Sequence, residues 1–137
     1  RRAGLTCVVL SLRYPWLWLS LGLALVVCVI AASVFPIVVI ATIDLTWGDK
    51  AAHAISYCLL MIWFSGLYAR RYHGIVAVAL LALGIMLEML QLKLPYRFFE
   101  PADLLANATG VFIGLGLSFW LFSGWCQRME SRLGYHE

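Results

Sequence analysis

Seven side chains able to move protons or hold ions fall at helical spacing in this sequence: Asp49, His53 and Tyr57, then Glu88 and Gln91, then Asp103 and Asn107. Residues three or four apart on a helix share a face, so each set presents one polar stripe. A carboxylate one turn from a histidine can fix the imidazole tautomer and raise its basicity, which would make His53 a general base oriented by Asp49. The same histidine could instead bond a neighbouring helix at a helix entry. Glu88 could pair with Arg97 or Lys50 to fix the fold, or face a substrate and share the acid–base work with His53. Asp103 stands where a helix N-cap is expected, and Asn107, a turn deeper, suits either a polar seam or a ligand.

A metal centre would draw on His53, Glu88, Asp103 and Asp49, oxygen-rich with one nitrogen. Without a second histidine or a compact ligand motif, the sequence points to no metal and no other cofactor. Lys50 and Arg97 would serve to hold phosphate or carboxylate, Arg97 through its planar fork. Together with Asp49, Tyr57, Gln91, Asp103 and Asn107 they form the candidate ligand-binding set.

The elements that must position these groups are membrane helices. Hydrophobic residues make up 64% of the 137-residue chain and charged residues 12%, and mean hydropathy is +0.91, far outside the soluble range. About 20 apolar residues are needed per crossing, so the chain accommodates four spans and one domain, residues 1–137. The expected spans are about 16–35, 51–68, 75–92 and 104–122, packed as a compact all-α four-helix bundle. Trp16 and Trp18 open the first at the depth of an aromatic belt, and Trp47, Tyr96, Phe98 and Phe99 suit the opposite interface. Pro36 either ends the first helix or kinks it, and an ending is favoured. The stretch from Asp44 to Lys50 reads as a polar connection, and the tail after Gly124 as a short helical or frayed extension. The sequence starts at Arg1, without a methionine, which is compatible with a missing start or a cleaved segment.

Basic residues orient the bundle. Arg1, Arg2, Arg13, Arg70, Arg71, Arg128 and Arg132 lie at one end, Lys50, Lys93 and Arg97 at the other. The excess of basic residues marks the cytoplasmic side, so both termini are expected in the cytoplasm and the polar stripes at the outer end. The net charge of +3 therefore reflects topology, and nothing suggests nucleic-acid binding. His73 and His136 read as solvated edge and tail residues. Cys7, Cys28, Cys58 and Cys126 show no CxxC or metal-ligand spacing and read as small packing residues. Ser33, Ser56, Ser65, Thr109 and Ser118 are expected to bond backbone or a neighbouring helix. Gly110 and Gly114 continue the Asp103–Asn107 stripe as Gly-x-x-x-Gly, the pattern that lets membrane helices approach closely.

The run Asp49-Lys50-x-x-His53-x-x-x-Tyr57, followed by Glu88-x-x-Gln91, Arg97, Glu100 and Asp103-x-x-x-Asn107-x-x-Gly110-x-x-x-Gly114, resembles the VanZ-like family of small bacterial membrane proteins. The resemblance covers roughly residues 45–118. It implies a multi-pass protein of the bacterial cytoplasmic (inner) membrane, in a family whose founding member is associated with low-level resistance to a glycopeptide antibiotic. Members often carry an acidic residue directly before the glutamate of the E-x-x-Q element; Leu87 stands there in this chain, so two adjacent carboxylates are not available.

Sequence and resemblance together favour an outward-facing polar pocket for the head group or glycan-phosphate of an envelope lipid. The partner would then be a membrane lipid or lipid-linked envelope precursor. The alternative is a non-enzymatic accessory or assembly subunit that docks onto a larger membrane complex. A transporter ranks below both, since the chain has no repeated half to alternate.

Overall fold

The structure is a computed structural model that describes residues 8–35, 45–96 and 98–134. Among the described residues five α-helices follow in chain order: α1 (Pro15–Val34), α2 (Leu45–Leu67), α3 (His73–Gln91), α4 (Pro101–Leu117) and α5 (Trp125–Leu133). A 3-10 turn over Arg70–Tyr72 leads into α3, and a π turn over Ser118–Phe122 extends α4. Among the described residues, four helical segments are long and apolar enough to cross a bilayer: Pro15–Val34, Trp47–Leu67, Arg70–Gln91 and Pro101–Phe122. The all-helical, four-span architecture expected from hydropathy is therefore present. The question of a kink or an end at Pro36 falls outside the described residues.

The helix starts differ from expectation in an informative way. α2 begins at Leu45 rather than near 51, so Asp49 and Lys50 belong to its first turns rather than to a connection. Charged residues suit a helix just before it enters hydrocarbon, because helical backbone satisfies its own hydrogen bonds while the side chains still reach the interface. α4 begins at Pro101 in the first helical position, where a missing N–H costs nothing. The N-cap position is Glu100, and Asp103 lies in the first turn, which corrects the N-cap reading of Asp103.

α2 is the central helix, packed against α1, α3, α4 and α5. Tyr57, Leu60, Met61, Ala77, Leu80 and Val111 form the buried core between α2, α3 and α4. The closest approach is between α2 and α4. A Cβ on Gly110 would collide with the Ala54 backbone, and one on Gly114 would lie 2.8 Å from the Cys58 carbonyl oxygen. The Gly-x-x-x-Gly stripe thus works by backbone-to-backbone contact. Helical hydroxyls return to their own helix: Ser33 to Val29, Ser65 to Ile62, Thr109 to Leu105 and Ser118 to Gly114, each donating to a carbonyl oxygen three or four residues back. Much of the remaining apolar surface faces outward, including Trp16, Leu23, Val78, Phe112 and Trp120, as lipid-exposed helix faces do.

α5 and the segment before α1 close one end of the bundle. Val9 pairs with Tyr68 in an isolated antiparallel bridge, and Leu10 N–H donates to the Leu67 carbonyl at 2.8 Å. Glu130 of α5 accepts the backbone N–H groups of Arg13 (2.5 Å) and Tyr14 (3.0 Å) and the Trp18 indole N–H (2.8 Å). These are groups at the start of α1 that have no intrahelical partner. Burial alone would raise the Glu130 carboxyl, but these donors, with the Arg13 charge, hold it below its ordinary value. Trp18, Trp63 and Trp125 meet with ring centroids 5.2–5.8 Å apart. Cys126 beneath them is fully buried, and burial pushes its thiol up to about 12. The short helical extension expected after Gly124 is thus present as α5, and it packs back as a cap on this end of the bundle.

His73 corrects the sequence reading. It is fully buried, its Nε2 3.2 Å from the Ser65 carbonyl oxygen and 3.3 Å from that of Tyr68, with Phe119 packed beside the ring. Carbonyls freed at the end of α2 need a donor, and the first residue of α3 supplies one. His136 lies outside the described residues.

Candidate functional site

The opposite end gathers the first turns of α2, the last turns of α3 and the start of α4. Their side chains build one polar cluster. His53 Nδ1 lies 3.0 Å from Asn107 Oδ1. A carbonyl oxygen can only accept, so this bond places a ring proton on Nδ1, and in the neutral ring the lone pair is then on Nε2. Nε2 faces two carboxylates without bonding either: Asp49 Oδ2 is 4.0 Å away and Asp103 Oδ2 3.9 Å. His53 is thus oriented by Asn107, while Asp49 stands beside the opposite nitrogen.

Lys50, on the same turn of α2, reaches α4 instead of α3. Its ammonium donates to Glu100 at 2.7 Å and lies 3.6 Å from Asp103 Oδ1, too long for a hydrogen bond in the second case. Lys50 beside Glu100 holds that exposed carboxyl below its usual range. Of the two partners proposed for Glu88, then, Lys50 is engaged elsewhere, and Arg97 lies outside the described residues.

Glu88 is 1% exposed. Its carboxylate accepts the Glu100 backbone N–H and feels the charges of Asp103, His53 and Asp49. Among the described residues its Oε2 has no hydrogen-bond partner. Tyr57, two turns below Asp49 on α2, is equally buried, and its hydroxyl is also without a partner. An unpartnered polar atom in so dry a place costs about 1–3 kcal/mol, yet Glu88 Oε2, Tyr57 Oη and Asp103 Oδ1 share this condition at one end of the bundle.

Gln91 does not join the cluster. Its amide donates to the Ser33 carbonyl oxygen at 2.9 Å, and with the Tyr96 hydroxyl on Val34 (3.1 Å) it fastens α3 to the end of α1. Gly84 does join. A Cβ there would lie 3.1 Å from Asn107 Nδ2 and 3.4 Å from Tyr57 Oη, so its bareness makes room for both side chains. The Gly84–Glu88 spacing of four is the signal that could have marked it, because it puts the glycine on the Glu88 face.

The family model described as VanZ/LLP1 matches residues 10–122. The chain belongs to the VanZ/LLP1 family. Neither a curated protein nor a solved structure matches it. The match extends beyond the polar motifs to α1 and the whole of α4, so the VanZ/LLP1 unit includes the weakly polar first span as well as the cluster. Membership and four spans together make this chain a membrane protein.

Chemically, the described residues of the cluster offer one imidazole nitrogen without a hydrogen bond, four carboxyl groups, and one ammonium already shared between two of them. Such a set can accept hydrogen bonds from hydroxyls, exchange a proton through His53, or surround a cation.

Proposed function

We propose that this VanZ/LLP1 chain binds the polar head group of an envelope lipid, or the glycan-phosphate of a lipid-linked precursor, at the Asp49–His53–Glu88–Asp103 end of the bundle. The reading is carried by the buried Glu88 Oε2, Asp103 Oδ1 and Tyr57 Oη, which have no hydrogen-bond partner among the described residues; Glu88 and Asp103 lie within a turn of the ends of their spans, and Tyr57 lies deeper. Polar atoms kept dry and unpaired between membrane helices cost stability unless an incoming ligand satisfies them. Sugar or glycerol hydroxyls donate what the two carboxylates accept. His53, with Nε2 free and Asn107 holding its ring, is the group for acid–base chemistry if the bound molecule reacts, with Glu88 beside it. By the basic-residue count the cluster faces outward from the bacterial cytoplasmic membrane, the side on which envelope precursors are used, and this would link the chain to envelope or glycopeptide-resistance phenotypes.

Native mass spectrometry of the gently purified protein tests the proposal. A lipid should be retained by the wild type and lost, at unchanged helicity, in Glu88→Gln and Arg97→Ala. A stoichiometric protein in place of a lipid would transfer the site to the accessory-subunit reading, and a lipid retained equally by both variants would remove the cluster from head-group binding.

A further inference from the structure

We infer that Asp49, His53 and Asp103 form a binding site for a divalent transition-metal cation, with His53 Nε2 and the two Oδ2 atoms as ligands. This reverses the expectation of no metal, which rested on the absence of a second histidine. The three ligand atoms all lie within 4.8 Å of one another. Bonds of about 2.0–2.2 Å around a tetrahedral ion would set neighbouring ligand atoms about 3.4 Å apart. The observed 3.9 and 4.0 Å separations from Nε2 close to that with small side-chain rotations.

Two features outside the triad point the same way. A metal-bound histidine characteristically donates its other N–H to an oxygen that fixes the tautomer, and Asn107 Oδ1 occupies that position at 3.0 Å. Glu88 contributes a second, independent observation. It is buried, with one oxygen that has no hydrogen-bond partner among the described residues, and it lies close enough to both triad carboxylates to interact with them, so it brings them no neutralising cation. Among the described residues Lys50 is the basic side chain ion-paired here, and it is shared between Glu100 and Asp103. A dication on the Nε2 side would balance what Lys50 leaves.

The donor set indicates which cation. Carboxylates alone suit magnesium or calcium, but the imidazole favours manganese, iron or zinc, and no thiolate is present to select copper(I). The Asp49 side chain is 44% exposed, so the site opens on that side and keeps positions for water or an outside oxygen. The cation site stands on the triad itself and does not require the lipid reading; that reading would only name the outside oxygen.

Electron paramagnetic resonance of Mn2+ added to the full chain in a maltoside detergent tests it. The free Mn2+ signal should fall until one ion per chain is bound, and equimolar Zn2+ should restore it, following the ordinary affinity order. Asp49→Asn, at a half-exposed position that tolerates the change, should weaken binding roughly tenfold or more, and His53→Gln likewise, with unchanged circular dichroism. No saturable binding by the wild type, or saturable binding that both variants leave unchanged, would overturn the site. Lipid retention is read separately by mass, so failure here and failure of the head-group proposal are distinguishable.

Discussion

The two ends of the bundle use the same kinds of residue to opposite effect. At the α5 end, Glu130 takes three donors, Gln127 donates to Ser11, Arg70 and Arg128 donate to the Phe119 and Leu121 carbonyls, and Trp125 donates to Ile62 at 2.9 Å. His73 Nδ1 is the buried exception there. At the Asp49 end, two carboxylate oxygens and a phenol are buried without a hydrogen bond among the described residues, though Lys50 stands 3.6 Å from one of them, and His53 Nε2 lies about 4 Å from both of its acidic neighbours. Where polar groups are paired to backbone they hold helices together. Where they are crowded and left without hydrogen bonds, stability is given up, and the ligand we propose would be the physical reason for keeping them.

The two ends belong to one body because the α2–α4 seam joins them. Breaking that seam should give the largest effect. Gly110→Leu drives a side chain into the Ala54 backbone, which cannot yield as a side-chain tip can, and the expected loss is about 3 kcal/mol or more. Gly116→Leu is the control, because nothing lies within 4 Å of a Cβ there. Thermal unfolding in detergent should show a large drop for the first and almost none for the second. Equal drops would mean that the glycines are not packing positions.

Glu130→Gln tests the paired end. It keeps the shape but removes a charge that accepts three hydrogen bonds, so about 2 kcal/mol should be lost. Because the folded carboxyl is held below its ordinary value near 4.5, its contribution is present above that pH and disappears as pH falls through the lower, folded value. Unfolding temperatures of wild type and variant should therefore differ at pH 7 and converge in acid. Mn2+ and lipid binding at the far end should not change.

What could be read from the sequence follows the same division. The four spans and the shared faces of Asp49/His53, Asp103/Asn107 and Gly110/Gly114 were legible, because hydropathy and the 3.6-residue repeat are local signals. The α5 cap was not: Glu130 meets Arg13 across 117 positions, and no local pattern announces that a polar tail will fold back over the first helix. His73 was misread for a related reason, since Arg70, Arg71 and Tyr72 make its surroundings look like a solvated turn while Phe119 closes over it from another helix. Gln91 shares a face with Glu88 by spacing, yet a third helix, α1, draws its amide to Ser33. Spacing shows which residues can meet, and the neighbouring helix decides which do.

The smallest predicted effect is the most discriminating, because its sign separates the two ends. Glu88→Gln keeps the side-chain volume and removes a carboxylate that is buried beside Asp103 and Asp49 with Oε2 unpaired. If Glu88 were a structural anchor like Glu130, the variant would lose stability. If it is maintained for a ligand, relieving like-charge crowding should leave the ligand-free protein unchanged or stabilise it by up to about 1 kcal/mol. Unfolding in detergent with chelator present reads this directly, against Glu130→Gln in the same preparation. A loss comparable to that of Glu130→Gln would make the cluster an interhelical lock, and neither the head group nor the cation would then be needed to explain it.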